Sequence, residues 1–355
     1  MRIAFYAPMK PPDHPTPSGD RRMANLLLDA LRAGGHEPFI VSRLRTYDGV
    51  GNAAAEAANA RAAEVEIGRI SSDLPEFDAW LSYHVYHKSP DYLGPVLAKG
   101  RPYLLVEASA ARKRSTGPWA EGAAAAARAI GAAGAVLYVT RDDREGLTDL
   151  VQPEEKLIHL RPFIDPAPFR LRALPADHVR LLAVGMMRDG DKLASYRQLA
   201  ESLERLKAAD WRLHIVGDGE ARPAVEEAFA GLADHVVWHG SVGAAALPAI
   251  YAAADIYVWP AANEAYGMAF LEAQAAGLPV VAGRVRGVPD VVAHGVTGLL
   301  TPAGDTVAFA EALRRLIDDR ALRARLSAAA RGNVPDVAAA ATTLNHALEV
   351  ATKWR

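Results

Sequence analysis

WPAANEAYGMAFLEAQAAGLP, residues 259–279, holds a strand end, a polar turn and a helix in one short run. The apolar residues Ile256 to Trp259 predict a strand that stops at Pro260, and Glu264 falls in the turn after it. A helix is expected from about Tyr266 and Gly267, running amphipathically through Leu271 and Gln274 to Gly277. Glycine suits its C-terminal cap, and proline at 279 cannot continue it. The amides of Gly267, Met268 and Ala269 have no partner inside such a helix, and the helix dipole makes that tip a site for an anion such as phosphate. Glu264 precedes the tip and Glu272 lies more than a turn beyond it. At about 1.5 Å of rise per residue the two acids lie no more than roughly 12 Å apart, near the reach of an extended nucleotide sugar. One acid is then expected at the sugar hydroxyls and the other at the ribose, with a diphosphate on the amides between. Two solvated glutamates on an ordinary strand and helix give the same spacing. The pair therefore counts only with its surroundings, the preceding WPA and the following AAGLPVVAG and GVPDVV.

The extended motif, EAYGMAFLEAQAAGLPVVAGRVRGVPDVVAHGVTGLL, resembles the donor-binding signature of family 4 glycosyltransferases of the GT-B fold, in which seven residues separate two glutamates. The resemblance implies an α/β chain of two Rossmann-like, doubly wound domains with an interdomain cleft. It puts Glu264 beside the donor sugar, Glu272 at the ribose, and the amides near Gly267, Met268 and Ala269 on sugar and phosphate. It further implies a hexosyl transfer that retains anomeric configuration, with attack on the face that the leaving phosphate vacates. The donor would be a UDP- or GDP-linked sugar, with no metal and no other cofactor.

A chain of 355 residues can fill two domains with full cores. Lys plus Arg number 40 against 42 for Asp plus Glu, a net charge of −2, which argues against a nucleic-acid protein. ARKR, with Arg112, Lys113 and Arg114, is one local basic patch. There is no cysteine, so disulfides, thiolate metal sites and cysteine nucleophiles are excluded. The opening MRIAFYAP lacks the apolar core of a secretory signal, and no window approaches the ~20 apolar residues of a membrane span. A cytoplasmic location is expected, with peripheral contact at the inner face of a membrane left open.

The first domain is expected over 1–165 plus 336–355, opening with a strand at Arg2 to Ala7, a proline-rich loop, a helix over Arg21 to Ala33 and a strand at Phe39 to Ser42. Gly19 is the loop position expected against a phosphate, since a side chain there blocks close approach; a simple turn glycine is the alternative. No G-x-G-x-x-G is present, so this is not a dinucleotide fingerprint. The resemblance puts a glycine loop here facing the donor diphosphate. Further strands are expected at Ala79 to Tyr83, Tyr103 to Val106 and Val136 to Thr140. His84 and His87 would share a face on a helix, as metal ligands do, but no third ligand is evident; His84 at a strand end is the better contact to sugar or acceptor. Family members place a histidine after the strand at 103–106, where this chain has Glu107, Ala108 and Ser109. Glu107 is thus a candidate polar contact or base, with a structural role as the alternative.

The second domain is expected over 166–335, beyond the proline-rich run around Asp165 and Pro166. A strand at Leu181 to Gly185 leads to Arg188 and Lys192, two cations able to neutralise a diphosphate, or else a solvated basic loop. The resemblance assigns them to the leaving nucleoside diphosphate, although Met186 and Met187 intervene where the family's arginine follows the glycine directly. It lays the backbone of Ser241 and Val242 against the nucleobase. After the opening motif a strand, a glycine turn and a hairpin-like segment are expected. A final helix from about Asp336 is expected to return to the first domain. Three functions fit these features: a glycosyltransferase, a silent sugar-nucleotide-binding protein of the same fold, and an epimerase. The glutamate pair favours the first, whose acceptor is left open among small molecules, lipid-linked compounds and glycans.

Overall fold

Strand and helix alternate along the whole chain. The computed structural model describes residues 1–354 apart from 17, 74, 111–113, 115 and 172–175. In chain order the first elements are β1 (Arg2–Tyr6), α1 (Gly19–Ala33), β2 (Glu37–Ser42), α2 (Ala53–Ser72), β3 (Ala79–Tyr83), α3 (Gly94–Leu97), β4 (Tyr103–Val106), α4 (Ala120–Ala132), β5 (Ala135–Tyr138), α5 (Arg141–Leu147) and β6 (Leu157–His159). Then come β7 (Val179–Val184), α6 (Asp191–Glu204), β8 (Trp211–Val216), α7 (Arg222–Ala228), β9 (Val236–Gly240), α8 (Leu247–Ala252), β10 (Ile256–Trp259), α9 (Met268–Ala276) and β11 (Val280–Gly283). The chain ends with α10 (Val288–Val291), β12 (Gly298–Thr301), α11 (Thr306–Asp318), α12 (Arg320–Asn333) and α13 (Val337–Lys353). Two units result: Met1–Arg161 with Pro335–Arg355, and Pro162–Val334. Among the described residues no helix is long and apolar enough to cross a membrane.

The first unit is built on a parallel sheet in the order β2-β1-β3-β4-β5-β6. β3 and β4 are buried along their whole length, as expected of parallel strands covered on both faces. Tyr6, Trp80, Leu105, Ala126 and Ile130 share one core. The helix expected from Arg21 begins two residues earlier, because the Ser18 side chain accepts from the Arg21 amide and caps it. Gly19 is therefore the first residue of α1 and not a loop glycine. The strand expected to reach Thr140 stops at Tyr138; Thr140 instead caps α5 in a capping box with Asp143. α13, capped by Asp336, packs on α1, β4 and β5, and its Asn345 bonds the Gly34 carbonyl and the His36 ring.

The second unit has its own parallel sheet, ordered β12-β11-β10-β7-β8-β9. No hairpin follows β11: α10 intervenes and β12 lies parallel to β11, Val280 opposite Gly298 and Gly283 opposite Thr301. Pro289 in the first turn of α10 favours that short helix and so a crossover connection. α9 is not amphipathic either. Phe270 to Ala276 are all buried, because α9 lies among β11, α8 and α12. Its C-terminus matches expectation, with Gly277 left-handed at φ 82°.

Candidate functional site

In the second sheet β8 lies on one side of β7 and β10 on the other, so the strand order reverses between β7 and β10. Ligands of open α/β sheets bind outside the strand C-termini at such a switch point. There the first turn of α6, which follows β7, meets the turn that follows β10. The Ala262 amide donates to Ser195 Oγ at 2.9 Å, and Asn263 Nδ2 donates to Asp191 Oδ2 at 2.8 Å. Ala261 and Asn263 are left-handed, at φ 65° and 54°, a conformation that costs about 1–3 kcal/mol for a non-glycine residue and persists only where surroundings enforce it. Lys192 Nζ, 5.4 Å from the Trp259 ring, donates to Glu264 Oε2 at 2.6 Å. Two residues singled out in the sequence, 72 positions apart, thus form one partly buried ion pair.

Just beyond Glu264 the backbone turns at Gly267, φ 75°, into α9. A Cβ at Gly267 would meet the Phe270 ring at 2.7 Å and Glu264 Cγ at 3.2 Å, so the close approach requires glycine. No side chain caps this end, which leaves the first-turn amides of α9 for a ligand. Glu272 is no solvated acid. It is buried, and its Oε2 accepts from the Tyr251 hydroxyl at 2.7 Å, a donor that a carboxylate withdrawn from water requires. Tyr251 stacks in turn on Tyr257. Sequence reasoning missed Tyr251, Ser195 and Asn263; Tyr251 lies in an apolar helix with nothing local to mark it.

Arg188 and Ser241 are exposed and Val242 is half-buried, on the loops after β7 and β9. Those loops leave the same edge of the parallel sheet as the turn after β10. Met187 is buried, its amide donating to the Asp218 carbonyl and its carbonyl accepting from the Ala221 amide, which fixes the start of the Arg188 loop. Neither Arg188 nor Ser241 joins the Lys192–Glu264 pair.

His84 and Glu107, in the first unit, directly follow β3 and β4, and both are left-handed, at φ 62° and 56°. His84 Nδ1 lies 3.0 Å from Asp20 Oδ1, on the residue after Gly19. Burial works against charge on His84, but Glu107 and Asp20 outweigh it and raise the ring to about 9. Burial pushes the Glu107 carboxyl up to about 7, opposed by His84. Burial also opposes ionisation of Asp20, yet the bond and charge of His84 hold its carboxyl below the usual range. Glu107 Oε2 is closed to solvent and has no hydrogen-bond partner. His84 and His87 are not on a helix, and among the described residues no group of three or more His, Cys, Asp or Glu is placed to hold a metal ion. Arg112 and Lys113 lie outside the described residues.

Sucrose-phosphate synthase from Thermosynechococcus elongatus superposes on the whole chain with a TM-score of 0.75 at 19% identity, covering 98% of that structure. Anabaena HepE in complex with UDP covers 98% of this chain and 100% of its own, with a TM-score of 0.74 at 16% identity. The fold is GT-B: two Rossmann-like α/β units. Residues 178–319, within the second unit, match the family model described as Glycosyl transferases group 1. It is 34% identical over 224 residues to a D-inositol 3-phosphate glycosyltransferase of Xylanimonas cellulosilytica, covering 57% of this chain and 53% of that relative. A sulfoquinovosyl transferase of Arabidopsis thaliana is 34% identical over 164 residues, 43% of this chain and 32% of its own. The matches thus span about half or less of these curated relatives.

Proposed function

We propose that the protein is a retaining glycosyltransferase that takes a hexose from a UDP- or GDP-linked sugar. The observation that carries this reading is the uncapped tip of α9, flanked by the Lys192–Glu264 pair and by Glu272 on its Tyr251 donor. A diphosphate fits the Gly267, Met268 and Ala269 amides. Glu272, oriented by Tyr251, accepts from ribose hydroxyls. Glu264 accepts from the sugar, and Lys192 and Arg188 offset charge on the departing diphosphate, the arginine as a fork and the lysine as a point charge. Ser241 and Val242 line the base. No nucleophile from the protein is required, because the acceptor attacks on the face that the phosphate vacates.

Titration with UDP, GDP and their glucose and mannose conjugates tests the donor site, beginning with UDP, the nucleotide in the HepE complex. Transfer or hydrolysis of radiolabelled donor, with the anomer of the product read by NMR, tests the reaction. A second reading, a silent sugar-nucleotide binder, is motivated by Glu107 where family members have histidine. Tight donor binding with neither hydrolysis nor transfer would favour it.

A further inference from the structure

We propose that Gln274 and Asn333 are positioning residues for the diphosphate site: through them α12 sets how far α9 reaches along its own axis, and so where the Gly267, Met268 and Ala269 amides stand. The inference rests on the reading of the α9 tip given above. Gln274 is fully buried in a run, Phe270 to Ala276, that is otherwise apolar apart from Glu272. Its Nε2 donates to the carbonyls of Phe270, at 3.2 Å, and Val291, at 3.1 Å, and its Oε1 accepts from Asn333 Nδ2 at 3.2 Å. Asn333 Nδ2 also donates at 3.2 Å to the same Val291 carbonyl. One buried amide of α9 is thus joined to the last residue of α10 and to the last residue of α12.

Two further bonds run from α12 to the same end of α9. Ser327 Oγ donates to the Gly277 carbonyl at 2.6 Å, and Arg331 Nη2 donates to the Ala276 carbonyl at 3.5 Å. Gly277 leaves room for that arginine, since a Cβ there would run into the guanidinium. α12 is itself fixed at its start, where Asp319 accepts from the Leu322 amide. The opposite end of α9 has no side-chain cap. A nine-residue helix is a rod of roughly 13 Å, so a shift at the tethered end appears at the uncapped tip. Apolar burial is non-directional and sets no axial position, whereas a hydrogen bond holds its partners to a narrow range of distance and angle. An apolar side chain at 274 would fill this interior without partners; the amide is costlier to bury and supplies direction instead. Glu272 rides on the same rod, so its place at the ribose moves with the amides.

Calorimetry of the full chain with UDP and with GDP tests this in Asn333→Ala and in Gln274→Met, which keeps the length of the side chain and removes its bonds. Each variant is expected to bind the nucleotide about tenfold more weakly, because amides that stand off the diphosphate lose charge-assisted bonds. The urea midpoint and near-UV circular dichroism are read on the same samples. A merely structural amide would lower the midpoint and leave the affinity of the folded molecules unchanged. The double variant should lose no more affinity than the more impaired single one, since both act along one path. Asn333 lies at a partly exposed helix end, so Asn333→Ala decides the matter if Gln274→Met does not fold. Hydrogen exchange gives a second readout: nucleotide should protect the Met268 and Ala269 amides in the unaltered protein, and protect them less in either variant. Nucleotide bound by the unaltered protein and equally well by the variants overturns the positioning role and leaves the donor site standing, as do losses that add in full in the double variant. No binding of UDP or GDP to the unaltered protein overturns both.

Discussion

A carboxylate in a protein interior needs donors, and Glu272 has one in Tyr251, a residue 21 positions away. Glu272→Ala should weaken UDP affinity at least tenfold, about 1.4 kcal/mol, by calorimetry. It should also lower stability to urea by about 1–3 kcal/mol, because the buried Tyr251 hydroxyl loses its acceptor. Glu272→Gln retains an acceptor and should recover most of the stability but not the affinity; UDP bound equally well by both variants would remove Glu272 from the site. Gly267→Ala puts a Cβ 2.7 Å from the Phe270 ring on a backbone that alanine adopts at a cost, and should destabilise by about 1–3 kcal/mol. A melting temperature equal to that of the unaltered protein would contradict this. Spacing alone made Glu264 and Glu272 legible in the sequence. It could not reveal that one is clasped by Lys192 and the other buried on Tyr251, since both partners come from elsewhere in the fold.

Helices announced their ends in the sequence better than their sides. Gly267 and Gly277 bracket α9 as read, but the burial of Phe270 to Ala276 depends on α8 and α12, which no local pattern reports. Likewise the glycines near β12 suggested a hairpin, whereas the parallel register with β11 follows from the intervening α10. Where a cap is local, sequence and structure agree. Asp336 caps α13 by accepting from the Ala339 amide, and α13 in turn covers α1, β4 and β5. Asp336→Ala should therefore cost about 1 kcal/mol, read as faster native-state hydrogen exchange along α13. Asp336→Ser should restore most of it, and protection unchanged in the alanine variant would show that packing alone holds this helix.

Alternating strands and helices foretold two doubly wound sheets, but the strand orders, and hence the two switch points, depend on tertiary pairing. At the first of these the fold raises the proton affinity of His84 and Glu107 and lowers that of Asp20. His84 rises from 6.5 to about 9, so its contribution is fully present below pH 6.5 and is lost as pH rises through 9. Glu107 rises from 4.5 to about 7, so the folded state favours its protonated form and loses stability as pH climbs from 4.5 through 7. Burial raises Asp91 as well, with the same sign. Asp20, Asp48 and Glu66 are lowered; their contributions are lost only as pH falls below the ordinary carboxylate range. Between about pH 5 and 9 the folded first unit therefore holds more protons than its unfolded chain, and its stability must decline as pH rises. Native-state hydrogen exchange of the β3 and β4 amides at about pH 6 and about pH 8.5, corrected for intrinsic rates, measures that decline. Glu107→Gln cannot ionise and should flatten the lower part of the slope while leaving the part due to His84. Protection that stays level or grows toward alkaline pH would mean that the Asp20–His84–Glu107 cluster is not closed in the folded protein.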